Sequence, residues 1–248
     1  MHTTALEIPT ADGLADAYAA FPEHRGPLPG VLLHPDAFGP RPVLESLAGE
    51  LASHGYFVLL PNVLYRNGRA PVVELPSRIT AQVRPALFDQ LMPMIAEHTP
   101  DRVLRDADAY LKYLAERPEV RNGPVAAVGY CMGAALALRT AAAYPERVAA
   151  VAGYHPSPLL TDAPDSPHLL AHDVTAEVQL GLAEGDMTPE SFAELTGALD
   201  AAGVRHRTEI YPGTVHGFTM ADTEAYDAAA FDRHRNSLPA LLARTLPN

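Results

Sequence analysis

The chain contains one cysteine, Cys131, set in Gly129-Tyr130-Cys131-Met132-Gly133. A short apolar run, Pro124 to Val128, leads into this pentapeptide, and a helical pattern, Met132 to Tyr144, leads out. Strand, Gly-x-Cys-x-Gly and helix together make the cysteine form of a nucleophile elbow. The turn is so tight that side chains two before and two after its tip would collide, which accounts for both glycines. The elbow lifts the thiol above a helix N-terminus, whose free N–H groups and partial positive charge favour an anion. A free cysteine is otherwise a small core residue. The paired glycines and flanking elements set this one apart.

A thiolate nucleophile needs a base, and the base needs a group to orient it. In elbow enzymes these follow in the order nucleophile, acid, base. After Cys131, the run Glu177 to Ala183 reads as a strand and ends in Glu184-Gly185-Asp186. Asp186, further past the strand, is the preferred orienter. Glu184 competes, because strand alternation points both the same way. The strand Arg207 to Tyr211 then leads into Pro212-Gly213-Thr214-Val215-His216-Gly217-Phe218. His216, in a glycine-flanked loop after the last strand, can reach over the elbow and exchange protons with Cys131.

The elements that must position these groups alternate along the chain. Thr4 to Ile8 and Leu14 to Ala20 flank Asp12-Gly13 and predict a hairpin. Strands are predicted at Gly30 to His34, Tyr56 to Pro61 and Val148 to Tyr154, besides those already named. Helical patterns cover Val43 to His54, residues 85–97 and 101–117, Pro189 to Ala202, and Asp222 to Leu246; Asp101 is a plausible N-cap. Repeated βα units predict a mostly parallel sheet with helices on both faces, and ligands at the carboxyl ends of its strands. One domain spanning 1–248 is expected. The long irregular stretch from Asn62 to about Arg84 is expected to serve the site. Tyr65, Tyr154 and His155 follow strand ends and are expected to face the cleft.

Composition narrows the function further. With a single cysteine, no intramolecular disulfide can form. A nucleic-acid groove needs a basic face, and with a formal charge of −12 none is expected. No apolar stretch is long enough to span a bilayer, and the first residues, MHTTALEIPTADG, lack the features of a secretion signal. A cytoplasmic location is expected. His168 and His172 lie i, i+4 beside Asp173, but no third ligand is evident, so neither metal nor cofactor is expected.

Three segments together resemble the dienelactone hydrolase family of α/β-hydrolases: the elbow, Tyr211-Pro212-Gly213 with His216-Gly217-Phe218, and Leu33-His34-Pro35-Asp36-Ala37-Phe38-Gly39. The resemblance runs from Gly30 to the last helix. It implies an α/β-hydrolase fold and a Cys131-His216-Asp186 triad that hydrolyses an ester or lactone through a thioester. It also implies an oxyanion hole from the N–H groups of Met132 and Ala37. In the best-known members a glutamate at the Asp36 position holds and activates the cysteine, so Asp36 is assigned that role. Those members hold a substrate carboxylate with two arginines. One position is Met220 here; for the other the long loop offers Arg66, Arg69, Arg78 and Arg84, of which Arg78 is the choice. Phe38 and Phe218 are also placed among the substrate-facing residues. A monomer is expected by the same resemblance, with a dimer left open.

Other readings are a non-catalytic hydrolase-fold binder, a thiol sensor, and an amidotransferase-like cysteine enzyme. The amidotransferase reading requires an acid two residues after the histidine, where this chain has Phe218. The sensor reading lacks a second cysteine to resolve an oxidised thiol.

Overall fold

The computed structural model describes residues 1–23 and 26–246. Its frame is an eight-stranded sheet in the order β1-β2-β4-β3-β5-β6-β7-β8. The strands are β1 (His2–Thr10), β2 (Gly13–Phe21), β3 (Gly30–His34), β4 (Phe57–Pro61), β5 (Val125–Tyr130), β6 (Val148–Tyr154), β7 (Glu177–Ala183) and β8 (His206–Tyr211). β1 and β2 form the antiparallel hairpin, and β2 pairs antiparallel with β4. From β4 to β8 every pairing is parallel.

The helices are α1 (Pro42–Ser53), α2 (Arg84–Glu97), α3 (Pro100–Glu116), α4 (Met132–Ala143), α5 (Pro189–Ala201) and α6 (Ala228–Thr245). Strand alternation divides the core between two faces. Val31, Leu33, Val58 and Leu60 pack with Leu44 and Leu47 of α1 and Leu238 and Leu241 of α6. Leu32 and Leu59 point the other way, toward Tyr110 and Leu111 of α3. Leu32 is fully buried, so truncating it to alanine costs about 2–5 kcal/mol.

Strand order also locates the site. The chain steps from β3 to β4, then crosses back over β3 to lay down β5 on its other side. Neighbouring loops therefore diverge at the carboxyl ends of β3 and β5, the switch point where open α/β sheets bind ligands. His34 is in register with Gly129 there, so the loop at 35–41 and the elbow at Cys131 lie side by side.

Two helix starts differ from the sequence reading. Thr99, not Asp101, caps α3, its side chain accepting from Arg102 N–H, with Pro100 at the first helical position. The last helix begins at Ala228 rather than near Asp222. Asp227 caps it by accepting from Ala230 N–H at 2.8 Å, and residues 222–227 remain loop. Among the described residues no helix is long and apolar enough to cross a membrane.

Candidate active site

Cys131 occupies the tip between β5 and α4 with φ 52° and ψ −120°. A non-glycine residue held at positive φ costs about 1–3 kcal/mol, which the surrounding packing must sustain. A Cβ on Gly129 would lie 2.0 Å from the Gly133 carbonyl oxygen, and one on Gly133 would lie 2.5 Å from the carbonyl oxygens of His34 and Pro35. Both glycines are therefore steric requirements of the elbow. The one at 133 also lets α4 approach the loop that follows β3.

His216 connects the elbow to the end of β7. Its Nδ1 lies 2.8 Å from Asp186 Oδ1, and its ring lines the same cavity as Cys131. Burial works to lower its pKa, but the interactions with Asp186 and Cys131 prevail and push the imidazole up to about 10. Asp186 is itself held, because its Oδ2 accepts the Ala183 N–H at 2.8 Å. Glu184 is turned elsewhere and exposed, accepting the Gly213 N–H at 2.6 Å. Three-dimensional placement thus separates two acids that strand alternation left equivalent.

The loop after β3 is organised by a buried ion pair. Arg41 binds Asp36 through both carboxylate oxygens, at 2.7 and 2.9 Å, and Asp36 Oδ1 also accepts the Phe38 N–H at 3.0 Å. Among the described residues Asp36 makes no hydrogen bond to Cys131; the expected cysteine-activating contact is replaced by the Arg41 pair. The guanidinium that competes for Asp36 comes from five residues along the same loop, so it wins on proximity as well as charge. Arg41 also reaches Asp222 at 2.6 Å, tying this loop to the segment beyond His216. Ala37, between Asp36 and Phe38, lines the cavity that opens here. The Met132 N–H, at the first turn of α4, has no helical acceptor.

A cavity of about 430 Å³ opens over these groups. Ala37, Phe38, Ile79, Phe88, Val215 and Met220 supply apolar wall, and Cys131, His155 and His216 also line it. Arg84 and Glu224 bring opposite charges to its lining. Arg84 stacks over Phe88, 5.1 Å from the ring centroid, whereas Glu224 accepts the Ala81 N–H at 2.7 Å.

Several residues expected at the cleft lie elsewhere. Arg78 is exposed and outside the cavity lining; Arg84, the first residue of α2, lines the cavity instead. Tyr65 is buried under the β1–β2 turn, its hydroxyl bonded to Thr10 and Asp106. Tyr154 points into the core, hydrogen-bonded to Ser237 and Gln179. Phe218 is fully buried behind His155, ring centroids 5.4 Å apart. Phe38 and His155 do line the cavity. His155 has a φ of 38°, anchors its Nε2 on Thr219 at 2.7 Å, and packs edge-on against His216. Burial, then the charge of neighbouring His216, holds its pKa well below the ordinary histidine value.

His168 and His172 lie on a single 3₁₀ segment, Pro167–Asp173. His168 turns to Ser166 and Glu194, while His172 is exposed beside Asp173. Among the described residues no group of three or more His, Cys, Asp or Glu is gathered to hold a metal ion.

Sequence reasoning missed Arg41, Asp222 and Ser157. Arg41 and Asp222 are 181 residues apart, so no local pattern joins them. Ser157 follows Tyr154-His155-Pro156 and reads as ordinary loop, yet its Oγ lies 3.0 Å from Cys131 Sγ.

Comparison with known proteins agrees with this architecture. The model of the dienelactone hydrolase family matches residues 15–246. A protein of Methylorubrum extorquens strain AM1, provisionally named a carboxymethylenebutenolidase, is 28% identical over 231 residues, covering 90% of this chain and 74% of its own length. A carboxymethylenebutenolidase of Pseudomonas sp. strain P51 is 32% identical over 118 residues, 48% of this chain and 46% of its own. Among solved structures, a provisionally named dienelactone hydrolase from Klebsiella pneumoniae superposes with a TM-score of 0.85 over 98% of both chains, at 22% identity. The fold is that of the α/β-hydrolases, and with the family model matched across nearly its whole length the chain belongs to the dienelactone hydrolase family.

Proposed function

We propose that the protein hydrolyses a small carboxylic ester or lactone by covalent catalysis at Cys131. The observation that carries this reading is His216, bonded to Asp186 at 2.8 Å and lining one cavity with the thiol at the elbow tip. Nucleophile and base line one cavity, and the orienter holds the base through its Nδ1.

Chemistry follows from the geometry. His216 takes the thiol proton, and the thiolate sulfur attacks the acyl carbon. The oxygen that gains the negative charge accepts from the Ala37 and Met132 N–H groups, each worth about 3 kcal/mol in such a hole. Collapse of the tetrahedral adduct breaks the ester C–O bond, and the proton on His216 passes to the leaving oxygen. A thioester on Cys131 remains. His216, now neutral, accepts a proton from water as its oxygen attacks the thioester; the thiolate leaves and the acid is released. Asp186 holds Nδ1 protonated throughout, so that Nε2 faces the reaction. A lactone keeps both halves of the product joined, and an ester releases an alcohol.

The apolar wall suits an uncharged acyl group, and Arg84 supplies a cation for a substituent bearing a carboxylate. The test is to mix the protein with a slowly turned-over ester, quench in acid and measure the intact mass. A mass increase equal to the acyl group, located on the Cys131 peptide and removed by hydroxylamine, supports the thioester. Turnover with no adduct on that peptide, and with the Cys131→Ala variant as active as the native protein, would overturn it.

A further inference from the structure

Asp36 is engaged by Arg41 and the Phe38 N–H, so the acid that resemblance assigns to the thiol is committed elsewhere. The hydroxyl of Ser157 lies 3.0 Å from Cys131 Sγ. We infer that Ser157 is a further catalytic residue, whose hydroxyl donates to the Cys131 thiolate and holds it beside His216, in the place given by resemblance to Asp36. This rests on Cys131 being the nucleophile.

The placement of Ser157 is built rather than incidental. Cys131 N–H donates to the Tyr154 carbonyl at 3.1 Å, and Ser157 N–H donates to the Cys131 carbonyl at 3.1 Å. The peptide units around the nucleophile are thus strapped to both ends of the 154–157 turn. Between them the chain bends through His155, a non-glycine residue at φ 38°. Backbone strain of this kind persists only where the surroundings enforce it. His155 is enforced three ways: its N–H donates to Gly181 at 2.7 Å, its Nε2 is anchored on Thr219, and its ring packs against His216 and Phe218. The result delivers a hydroxyl to within 3.0 Å of the sulfur.

A neutral serine suits this position. It can donate to a thiolate or accept from a thiol by rotating one bond, and it adds no charge. The proton lost by Cys131 passes to His216; Ser157 keeps its own and contributes only a hydrogen bond. Hydrogen bonds to charged groups are the stronger class, so removing this one disfavours the thiolate over the thiol.

Because Cys131 is the only cysteine, alkylation by iodoacetamide reports on it alone. Its rate, followed against pH, rises as the thiolate forms and then levels. We expect Ser157→Ala to lower the rate about tenfold on the rising limb, with plateaus within about threefold of the native protein. Ser157→Thr, which keeps the hydroxyl, should retain the native limb, and Ser157→Gly gives the same reading as alanine should that variant fold poorly. A native limb in Ser157→Ala, or an equal fall in the alanine and threonine variants, would overturn the inference. Neither result depends on ester turnover, so loss of this inference is distinct from loss of the proposed reaction, which Cys131→Ala tests.

Discussion

Arg41 grips Asp36 through both carboxylate oxygens and extends the same guanidinium to Asp222 at 2.6 and 3.2 Å. The first pair is almost wholly buried, with side-chain exposures of 4% and 5%. The contact joins the loop that carries the Ala37 N–H to the segment that follows His216. On the proposed reaction, it would hold the oxyanion donor in place relative to the base. Arg41→Met removes one partner and leaves two carboxylates behind, one of them deeply buried. We expect a loss of about 3–5 kcal/mol of stability and a fall in kcat with little change in KM. Urea unfolding and steady-state kinetics on an aryl ester check both.

The orienter is the second prediction. Asp186→Asn keeps the shape but no longer fixes the His216 tautomer, and kcat should fall on the order of 10³-fold or more. Glu184→Gln disturbs only a turn contact to Gly213 and should change kcat less than about twofold, since surface substitutions of this kind are close to neutral. Equal losses in the two variants would contradict the assignment.

Charge in the cavity makes a third. Arg84 lines it and Arg78 does not. On a lactone bearing a carboxylate, Arg84→Ala should raise KM by about tenfold, the usual scale for a charged hydrogen bond. On a neutral aryl ester it should leave KM unchanged, and Arg78→Ala should leave both unchanged. A substrate panel with each variant measures this directly.

Acid sensitivity is a fourth. Burial pushes the pKa of His34 and of His234 down to about 3, far below the unfolded value near 6.5. Both are neutral in the fold, so the unfolded chain binds more protons as pH falls. Stability present above about pH 6.5 is lost on the way down toward about pH 3, by about 1.4 kcal/mol per pH unit for each histidine. His234 accepts or donates one hydrogen bond, at 2.9 Å to Tyr130. His234→Gln retains a polar partner for that hydroxyl but does not titrate. Its unfolding free energy between about pH 6 and about pH 4 should fall less steeply than that of the native protein by about one proton's worth.

The elbow at Cys131 and the meeting of His216 with Asp186 were legible because each is written locally. Glycines flank the nucleophile by two residues, and acid and base follow strand ends in order. The sheet was legible from short apolar runs separated by helical periodicity. What stayed hidden depends on contacts between distant segments. Nothing near Asp36 announced that Arg41 would claim it, and Asp222 was read as helix because the pattern of α6 was extended six residues too early. Tyr154 was read as a cleft residue from its position at a strand end, and Phe218 was placed among the substrate-facing residues. Each is instead turned inward, one to Ser237 and Gln179, the other beneath His155. Pattern names the strand end, but which side of it a given side chain takes is decided by packing.

The central claim is that Cys131 carries the reaction, and hydrolysis of an activated aryl ester by Cys131→Ala tests it most directly. The account predicts a fall in kcat/KM of roughly 10⁴-fold or more, the scale of losing a nucleophile from a working triad, with the fold intact by circular dichroism. Hydrolysis at the native rate in that variant would contradict it.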